Sequence, residues 1–168
     1  MRIGLLLVSL VGLSVVHGQD NKAPASKPTV VFVCEHGSAK SVIAAVEFQR
    51  MVKESGLDVN VLTRGTNPDA EVPKLVREGL KADGCDVGAL KPTKISEKDL
   101  AGATKIVSFG PDLKPWLPAG GTVADWSATP SVSADYQAAQ EYIKKQLEVL
   151  LKDLKSRAAT SSVVDGRR

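Results

Sequence analysis

A continuous apolar run at residues 29–34 is the feature that most constrains how this chain folds. It reads Thr-Val-Val-Phe-Val-Cys and consists almost wholly of β-branched or aromatic side chains. A strand with one face in water alternates polar and apolar residues, whereas a strand of a parallel sheet is covered on both faces and is apolar throughout. The run therefore predicts an inner strand of a parallel sheet.

Helix and strand patterns alternate after this run. Residues 59–63, 105–109 and 123–126 have strand patterns, and residues 41–55, 73–83 and 95–103 have helical ones. A long last helix is predicted from Ser133, the expected N-cap, because apolar residues recur at helical spacing up to Leu154. This alternation predicts an α/β fold, a doubly wound three-layer sandwich around a short four-stranded parallel sheet.

The first residues have the features of a secretory signal peptide. Arg2 supplies a positive charge, residues 3–16 are apolar or small, and Val16 and Gly18 occupy the −3 and −1 positions of a cleavage site. The apolar run is shorter than the roughly 20 residues of a transmembrane helix, and a retained N-terminal anchor is the alternative interpretation. We therefore expect a secreted or periplasmic protein that has no membrane contact once the signal is cleaved.

The remaining chain is expected to hold one domain. We place the signal peptide at 1–18, a linker at 19–28, the domain at 29–156 and a flexible tail at 157–168. Two cysteines and two histidines are too few for a disulfide framework, a structural zinc cluster or a multi-histidine metal site. Aromatic residues make up 4% of the chain and its net charge is +3, which gives no support for a nucleic-acid partner. We expect neither a metal nor an organic cofactor, and the sequence does not indicate the oligomeric state.

The segment between the first strand and the first helix, residues 34–41, concentrates the reactive side chains. In a doubly wound sheet ligands bind at the carboxyl ends of the strands, and Cys34 stands at such an end. Unpaired N–H groups at a helix start bind anions, and the small residues at 37–39 let the backbone wrap closely around one. Lys40 adds positive charge, and Ser41 is placed to donate its hydroxyl to the sulfur. A thiolate that faces a bound oxyanion is suited to nucleophilic attack on phosphorus or arsenic.

This segment resembles the phosphate loop of the low-molecular-weight protein tyrosine phosphatase and arsenate reductase superfamily, which runs Cys, five residues, Arg, Ser directly after the first strand. His36 and Ala39 make it more similar to the arsenate reductase branch, and the similarity extends over residues 29–154. The resemblance implies a phosphotyrosine protein phosphatase I-like fold that binds a phosphate-like oxyanion or phosphomonoester. The implied site consists of the catalytic Cys34, Lys40 and Ser41 and the anion-binding Glu35, His36, Gly37, Ser38 and Ala39.

The chain departs from the family pattern at several of these positions. Lys40 replaces an arginine whose planar fork grips two phosphate oxygens, and Gly37 replaces an asparagine. The proton-donating aspartate of the family precedes a proline, where this chain has Thr129 and Pro130; Glu35 is a candidate substitute donor. The extra cysteines of thioredoxin-linked arsenate reductases are missing after the third strand.

These departures set the expected activity. We expect slow, cysteine-dependent hydrolysis of phosphotyrosine-type monoesters, because a positioned acid typically contributes about 10²–10⁴-fold. One alternative is a catalytically impaired phosphate- or arsenate-binding or interaction domain. Arsenate reduction is a further alternative with less support, because export removes the chain from cytosolic thiol reductants.

Each candidate residue also has a purely structural interpretation. Cys34 can be an inert buried cysteine, Lys40 a solvated lysine at a helix start, and His36 a brace for the loop. Cys85 is expected to be structural, and a disulfide between Cys34 and Cys85 after export stays open. Arg64, at the carboxyl end of the second predicted strand, is a candidate auxiliary anion contact or else a charge on the rim of the site.

Overall fold

The computed structural model describes residues 27–165, with side chains up to residue 160. The predicted signal peptide at 1–18 and most of the predicted linker at 19–28 lie outside the described residues. In the described part of the chain, no helix combines the length and the hydropathy that a membrane span requires.

Four parallel strands form the centre of the domain. They are β1 (Thr29–Cys34), β2 (Asn60–Gly65), β3 (Lys105–Ser108) and β4 (Val123–Asp125), in the spatial order β2-β1-β3-β4. β1 is an inner strand, and its residues from Val30 to Val33 are completely buried. The predicted doubly wound α/β fold with a four-stranded parallel sheet is thus confirmed.

Helices cover both faces of the sheet. The helices are α1 (Lys40–Glu54), α2 (Lys74–Ala82), α3 (Glu97–Ala101) and α4 (Tyr136–Asp165), with a 3₁₀ turn at Lys114–Trp116. Buried side chains of α1, α2 and α4 form one core with β1, in which Phe32 meets both Phe48 and Trp126. α3 and the 3₁₀ turn pack on the opposite face, around Val33 and Leu100.

Side-chain alternation along β1 assigns each residue to one of these faces. Phe32 and Cys34 point toward α1 and α4, and Val33 points toward α3. In the parallel register Thr63 of β2 aligns with Phe32, and Arg64 aligns with Val33. The side chains of Cys34 and Arg64 therefore lie on opposite faces of the sheet.

Helix α4 begins later than predicted. Ser133, the expected N-cap, lies outside the helix, which starts at Tyr136. The hydroxyl of Ser133 instead shares a hydrogen bond of 3.0 Å with that of Ser131. The carboxylate of Asp135 accepts a hydrogen bond from the Ala138 N–H at 2.9 Å and caps the helix in its place.

The predicted flexible tail at 157–168 is also corrected, because α4 continues to Asp165. The sequence has no proline and no glycine in this stretch before Gly166, so nothing interrupts the helical hydrogen bonds. Arg157 also pairs with Asp153, one turn earlier, at 3.1 Å. Helix propensity and this ion pair extend the helix beyond its buried apolar residues. The end of the helix was predicted from the spacing of apolar residues, which gives no information about this exposed stretch.

Candidate functional site

The segment after β1 folds into a tight loop. The carbonyl oxygens of Cys34, Glu35 and His36 accept hydrogen bonds of 3.3, 2.8 and 3.1 Å from backbone N–H groups in the segment 66–69. In a trans peptide the C=O and the following N–H point in opposite directions, so the next N–H groups point into the loop. The Gly37 N–H shows this directly, since it donates to Cys34 Sγ at 3.2 Å. The backbone therefore forms a concave cradle of N–H groups suited to an anion.

The start of α1 adds to this cradle. Ala39 occupies the N-cap position and makes no side-chain capping bond, and the first turn contains no acidic residue. Serine, threonine, aspartate or asparagine usually satisfies the first N–H groups of a helix. The positive end of α1 is therefore not neutralised by its own side chains, which favours an anionic ligand there.

Cys34 lies at the centre of the cradle with only 7% of its surface exposed. Its Sγ is 3.1 Å from Ser41 Oγ, and the hydroxyl of Thr63 donates to the same Ser41 oxygen at 2.8 Å. Because Ser41 accepts from Thr63, its own hydrogen remains available for the sulfur of Cys34. Thr63 was not expected as a site residue; its position on the same sheet face as Cys34 is the signal that identifies it.

Lys40 reaches from the start of α1 to the segment ahead of α4. Its half-buried side chain donates from Nζ to the carbonyl oxygen of Thr129 at 2.6 Å. Burial lowers the pKa of Lys40 from its ordinary value, and the charge of Cys34 opposes this effect. The ammonium is therefore fixed in position, and it is not simply solvated.

Asp69 holds the outer part of the loop. One of its carboxylate oxygens accepts from Ser38 Oγ at 2.5 Å, and the other lies 3.3 Å from His36 Nδ1. The second ring nitrogen of His36 lies 4.0 Å from the carboxylate of Glu35, on the exposed rim. These contacts make His36 a brace for the loop. Asp69 was not expected from the sequence, and the Asn67-Pro68 turn before it is the one local signal of a wrapping segment.

Arg64 does not take the auxiliary anion-binding position for which it was a candidate. Its guanidinium donates to Asp99 Oδ1 and to the Thr63 carbonyl, both at 2.8 Å, on the α3 face of the sheet. Burial raises the pKa of Asp99, but hydrogen bonds from Arg64 and Ser96 outweigh that effect and leave the pKa below its usual value. Side-chain alternation explains the correction, because Cys34 aligns with Gly65 and not with Arg64.

A cavity of about 400 Å³ opens beside Cys34, between the loop, the start of α2 and the segment ahead of α4. One part of its wall is apolar and is formed by Pro73, Leu75, Val76, Phe109 and Val132. The other part is polar and is formed by Glu35, His36, Lys40, Ser131 and Ser133. A second cavity, of about 430 Å³, shares Glu35 and Phe109 with the first and extends to Asp112 and Trp116. Arg64 lines neither of them.

The two aspartates near the loop ahead of α4 do not line the cavity beside Cys34. Asp125 accepts from the Ser127 N–H at 2.8 Å, and hydrogen bonds from Ser127 lower the pKa of this carboxylate. Asp135 caps α4.

The two cysteines of the sequence are free thiols, and Cys85 is half-buried outside the cavity. Trp126 belongs to the core, so it does not line the cavity mouth.

Comparison with solved structures identifies the same architecture elsewhere. YfkJ from Bacillus subtilis superposes with a TM-score of 0.69 at 17% identity, over 79% of this chain and 97% of its own. A low molecular weight phosphotyrosine phosphatase from Vibrio cholerae gives 0.69 at 15% identity, over 77% of this chain and 98% of its own. A thioredoxin-dependent arsenate reductase from Corynebacterium glutamicum gives 0.67 at 22% identity, over 81% of this chain and 66% of its own. These similarities establish a shared fold.

Two comparisons of the sequence were made, and the second of them agrees with the fold. A search of curated protein sequences finds no significant match. The sequence model of the low molecular weight phosphotyrosine protein phosphatases matches residues 29–118. This range includes β1, β2, β3 and the loop at 34–41, which we call the anion loop. The chain belongs to the low molecular weight phosphotyrosine protein phosphatase family.

Proposed function

We propose that this protein is exported and slowly hydrolyses phosphate monoesters, with Cys34 as the nucleophile. The observation that carries the proposal is the position of the sulfur, 3.2 Å from the Gly37 N–H and 3.1 Å from Ser41 Oγ, beside an open cavity. The apolar wall of that cavity fits the ring of an aryl leaving group such as phosphotyrosine. The inward N–H groups of the loop fit the phosphoryl oxygens.

The reaction proceeds in two displacements at phosphorus. Cys34 Sγ forms a bond to phosphorus as the bond to the leaving oxygen breaks, which yields a phosphocysteine and an alkoxide or phenoxide that takes up a proton. Water then attacks phosphorus, the S–P bond breaks, and phosphate leaves. The hydroxyl of Ser41 stabilises the thiolate released in this second step, and the charge of Lys40 favours the phosphoryl group in both.

Two features support a low rate. Lysine is a point charge, so Lys40 cannot grip two phosphoryl oxygens with the fixed geometry of an arginine. The position before Pro130 holds Thr129, whose side chain carries no acidic proton; its hydroxyl donates to the Trp126 carbonyl at 2.7 Å.

An aryl phosphate assay with a mass measurement tests the activity. The wild-type protein is expected to release 4-nitrophenol from 4-nitrophenyl phosphate and to show phosphocysteine after rapid acid quenching. Cys34→Ser is expected to lose turnover. Equal background rates for the two proteins, with no phosphoprotein detected, would overturn the proposal.

Export has its own test. The apolar segment at 3–16 and the small residues at 16 and 18 support cleavage after Gly18. When the full chain is expressed, we expect the protein outside the cytoplasm with Gln19 as its first residue. Retention in the cytoplasm with an intact leader would contradict export without bearing on catalysis.

A second candidate function is oxyanion binding without turnover. It is favoured by the bond between Lys40 and the Thr129 carbonyl, which takes one of the three N–H donors of the lysine away from a substrate. This function predicts saturable phosphate binding by calorimetry and no phosphocysteine. Arsenate reduction has less support, because Cys85, the other cysteine of the sequence, does not line the cavity of Cys34. Arsenite production with glutathione and glutaredoxin present would reverse that ranking.

A further inference from the structure

We propose that Lys40 is the catalytic acid of this protein: its ammonium gives a proton to the leaving oxygen, and the resulting amine takes a proton from the attacking water. This inference rests on the phosphatase reaction proposed above. It assigns to Lys40 a role beyond that of a positive charge in the anion site.

The position of the ammonium carries the inference. Lys40 lines the same cavity as Cys34, and its Nζ is fixed 2.6 Å from the carbonyl oxygen of Thr129. One N–H is used by that carbonyl, so two remain for groups inside the cavity. That acceptor is a neutral carbonyl, and among the described residues of this cavity the one charged group that acts on the Lys40 ammonium is Cys34.

The other titratable groups that line this cavity in the described structure are less suited to the role. They are Cys34, Glu35 and His36. Cys34 is the nucleophile, and the ring nitrogens of His36 face the carboxylates of Asp69 at 3.3 Å and of Glu35 at 4.0 Å. The Glu35 side chain is 68% exposed on the rim, so it is surrounded by solvent and is not held against the reacting groups.

The proton balance closes over one turnover. In the first step the S–P bond forms, the P–O bond to the leaving group breaks, and a proton moves from Lys40 Nζ to that oxygen. In the second step water attacks phosphorus, its proton moves to the neutral amine, and the S–P bond breaks. Burial of Lys40 lowers its pKa more than the charge of Cys34 raises it, and this direction favours release of a proton.

Arginine at this position separates charge from proton transfer. Arginine keeps its positive charge and does not release a proton, because its pKa lies far above neutral pH. Lys40→Arg and Lys40→Gln are compared with the wild type on 2,4-dinitrophenyl phosphate, whose leaving group needs no proton, and on phenyl phosphate, whose leaving group does. Lys74→Arg is the matched control, because Lys74 is exposed at the start of α2 and does not line the cavity.

We expect Lys40→Arg to keep dinitrophenyl phosphate turnover within about tenfold and to lose about 10²–10⁴-fold on phenyl phosphate. Lys40→Gln should lose activity on both substrates, and more on phenyl phosphate; the control should match the wild type. Equal losses on the two substrates in both Lys40 variants, or unchanged or increased activity of Lys40→Arg on both, would overturn the proton role alone. Absence of phosphocysteine in the wild type with dinitrophenyl phosphate would overturn the phosphatase function as well. Thermal unfolding of each variant shows whether it is folded.

Discussion

Gly37 of the anion loop and Gly65 at the end of β2 meet backbone to backbone. A Cβ atom on Gly37 would lie 2.7 Å from the Gly65 nitrogen, and a Cβ on Gly65 would lie 2.7 Å from the Gly37 nitrogen. Gly37 also has a φ of +60°, in the left-handed region that favours glycine. The shape of the anion loop is therefore fixed by contact with β2 as well as by its own sequence.

Alanine at Gly37 or Gly65 should destabilise the fold and disrupt the loop. The left-handed backbone costs an alanine at 37 about 1–2 kcal/mol, and the clash with fixed backbone adds about 1–3 kcal/mol. Gly56→Ala is the control, because Gly56 has a φ of +66° but no atom near its missing Cβ. Urea unfolding should show a larger loss of stability for Gly37→Ala than for Gly56→Ala. Equal losses of stability in the two variants would show that the close contact between Gly37 and Gly65 does not add to the cost of the alanine.

Loss of the Ser41 hydroxyl should make Cys34 less reactive. A hydrogen bond to a charged group contributes about 1.5–3 kcal/mol, so Ser41→Ala should slow alkylation of Cys34 by iodoacetamide at neutral pH by about tenfold or more. Thr63→Val should have a smaller effect, because Thr63 acts through Ser41. Ser55→Ala, at the far end of α1, is the control. Unchanged alkylation in Ser41→Ala would mean that its hydroxyl does not donate to the sulfur.

Asp69 should matter for anion binding even though it is negatively charged. Its carboxylate holds Ser38 and His36, so Asp69→Ala should loosen the N–H cradle and raise the phosphate concentration that protects Cys34 from alkylation, by about tenfold. Asp69→Asn keeps an acceptor for Ser38, so the phosphate concentration that protects Cys34 in this variant should lie between those of the wild type and of Asp69→Ala. Asp58→Ala, at the other end of the sheet, should leave protection as it is. Tighter phosphate binding in Asp69→Ala would show that repulsion outweighs positioning.

The ion pair between Arg64 and Asp99 should make stability fall in acid. The pKa of Asp99 is lower in the folded protein than in the unfolded chain, where it is about 3.9. Its stabilising contribution is therefore complete above the unfolded value and is lost as pH falls through the folded value. Asp99→Asn should cost about 1–3 kcal/mol at pH 7, measured by urea unfolding, and progressively less below about pH 4.

A double-mutant cycle provides the control for this pair. Arg64→Met and the double variant should show that most of the effect at pH 7 is a coupling between Arg64 and Asp99. The part that remains in Arg64→Met reports the capping box that Asp99 forms with Ser96. A loss of stability that does not change with pH would contradict the assignment.

The fold could be predicted because its signals are local. The apolar run of β1 identified an inner parallel strand, and the alternation of helices and strands then fixed the class of sheet. The anion loop at 34–41 could be located for the same reason, since it lies directly between a strand and a helix. Its place at the start of a helix also predicts that its backbone N–H groups are free to bind an anion.

The partners of the loop could not be predicted, because they are distant in sequence. Thr63 is 22 residues from Ser41, Asp69 is 31 residues from Ser38, and Thr129 is 89 residues from the lysine it holds. Only the packed structure brings these segments together. Arg64 has a different explanation: it stands at the carboxyl end of β2, but the strand register places its side chain on the face of the sheet opposite Cys34.

The described chain both begins and ends at the pole of the domain opposite Cys34. β1 runs from Thr29 to Cys34, and Lys105, at the start of β3, lies 3.5 Å from Asp153, past the middle of α4, so the rest of the helix continues away from Cys34. Anything attached before residue 27 or after residue 165, whether a carrier protein, a resin or a surface, is therefore joined on the side away from the cavity. A tethered form of this domain would present the mouth of its cavity outward.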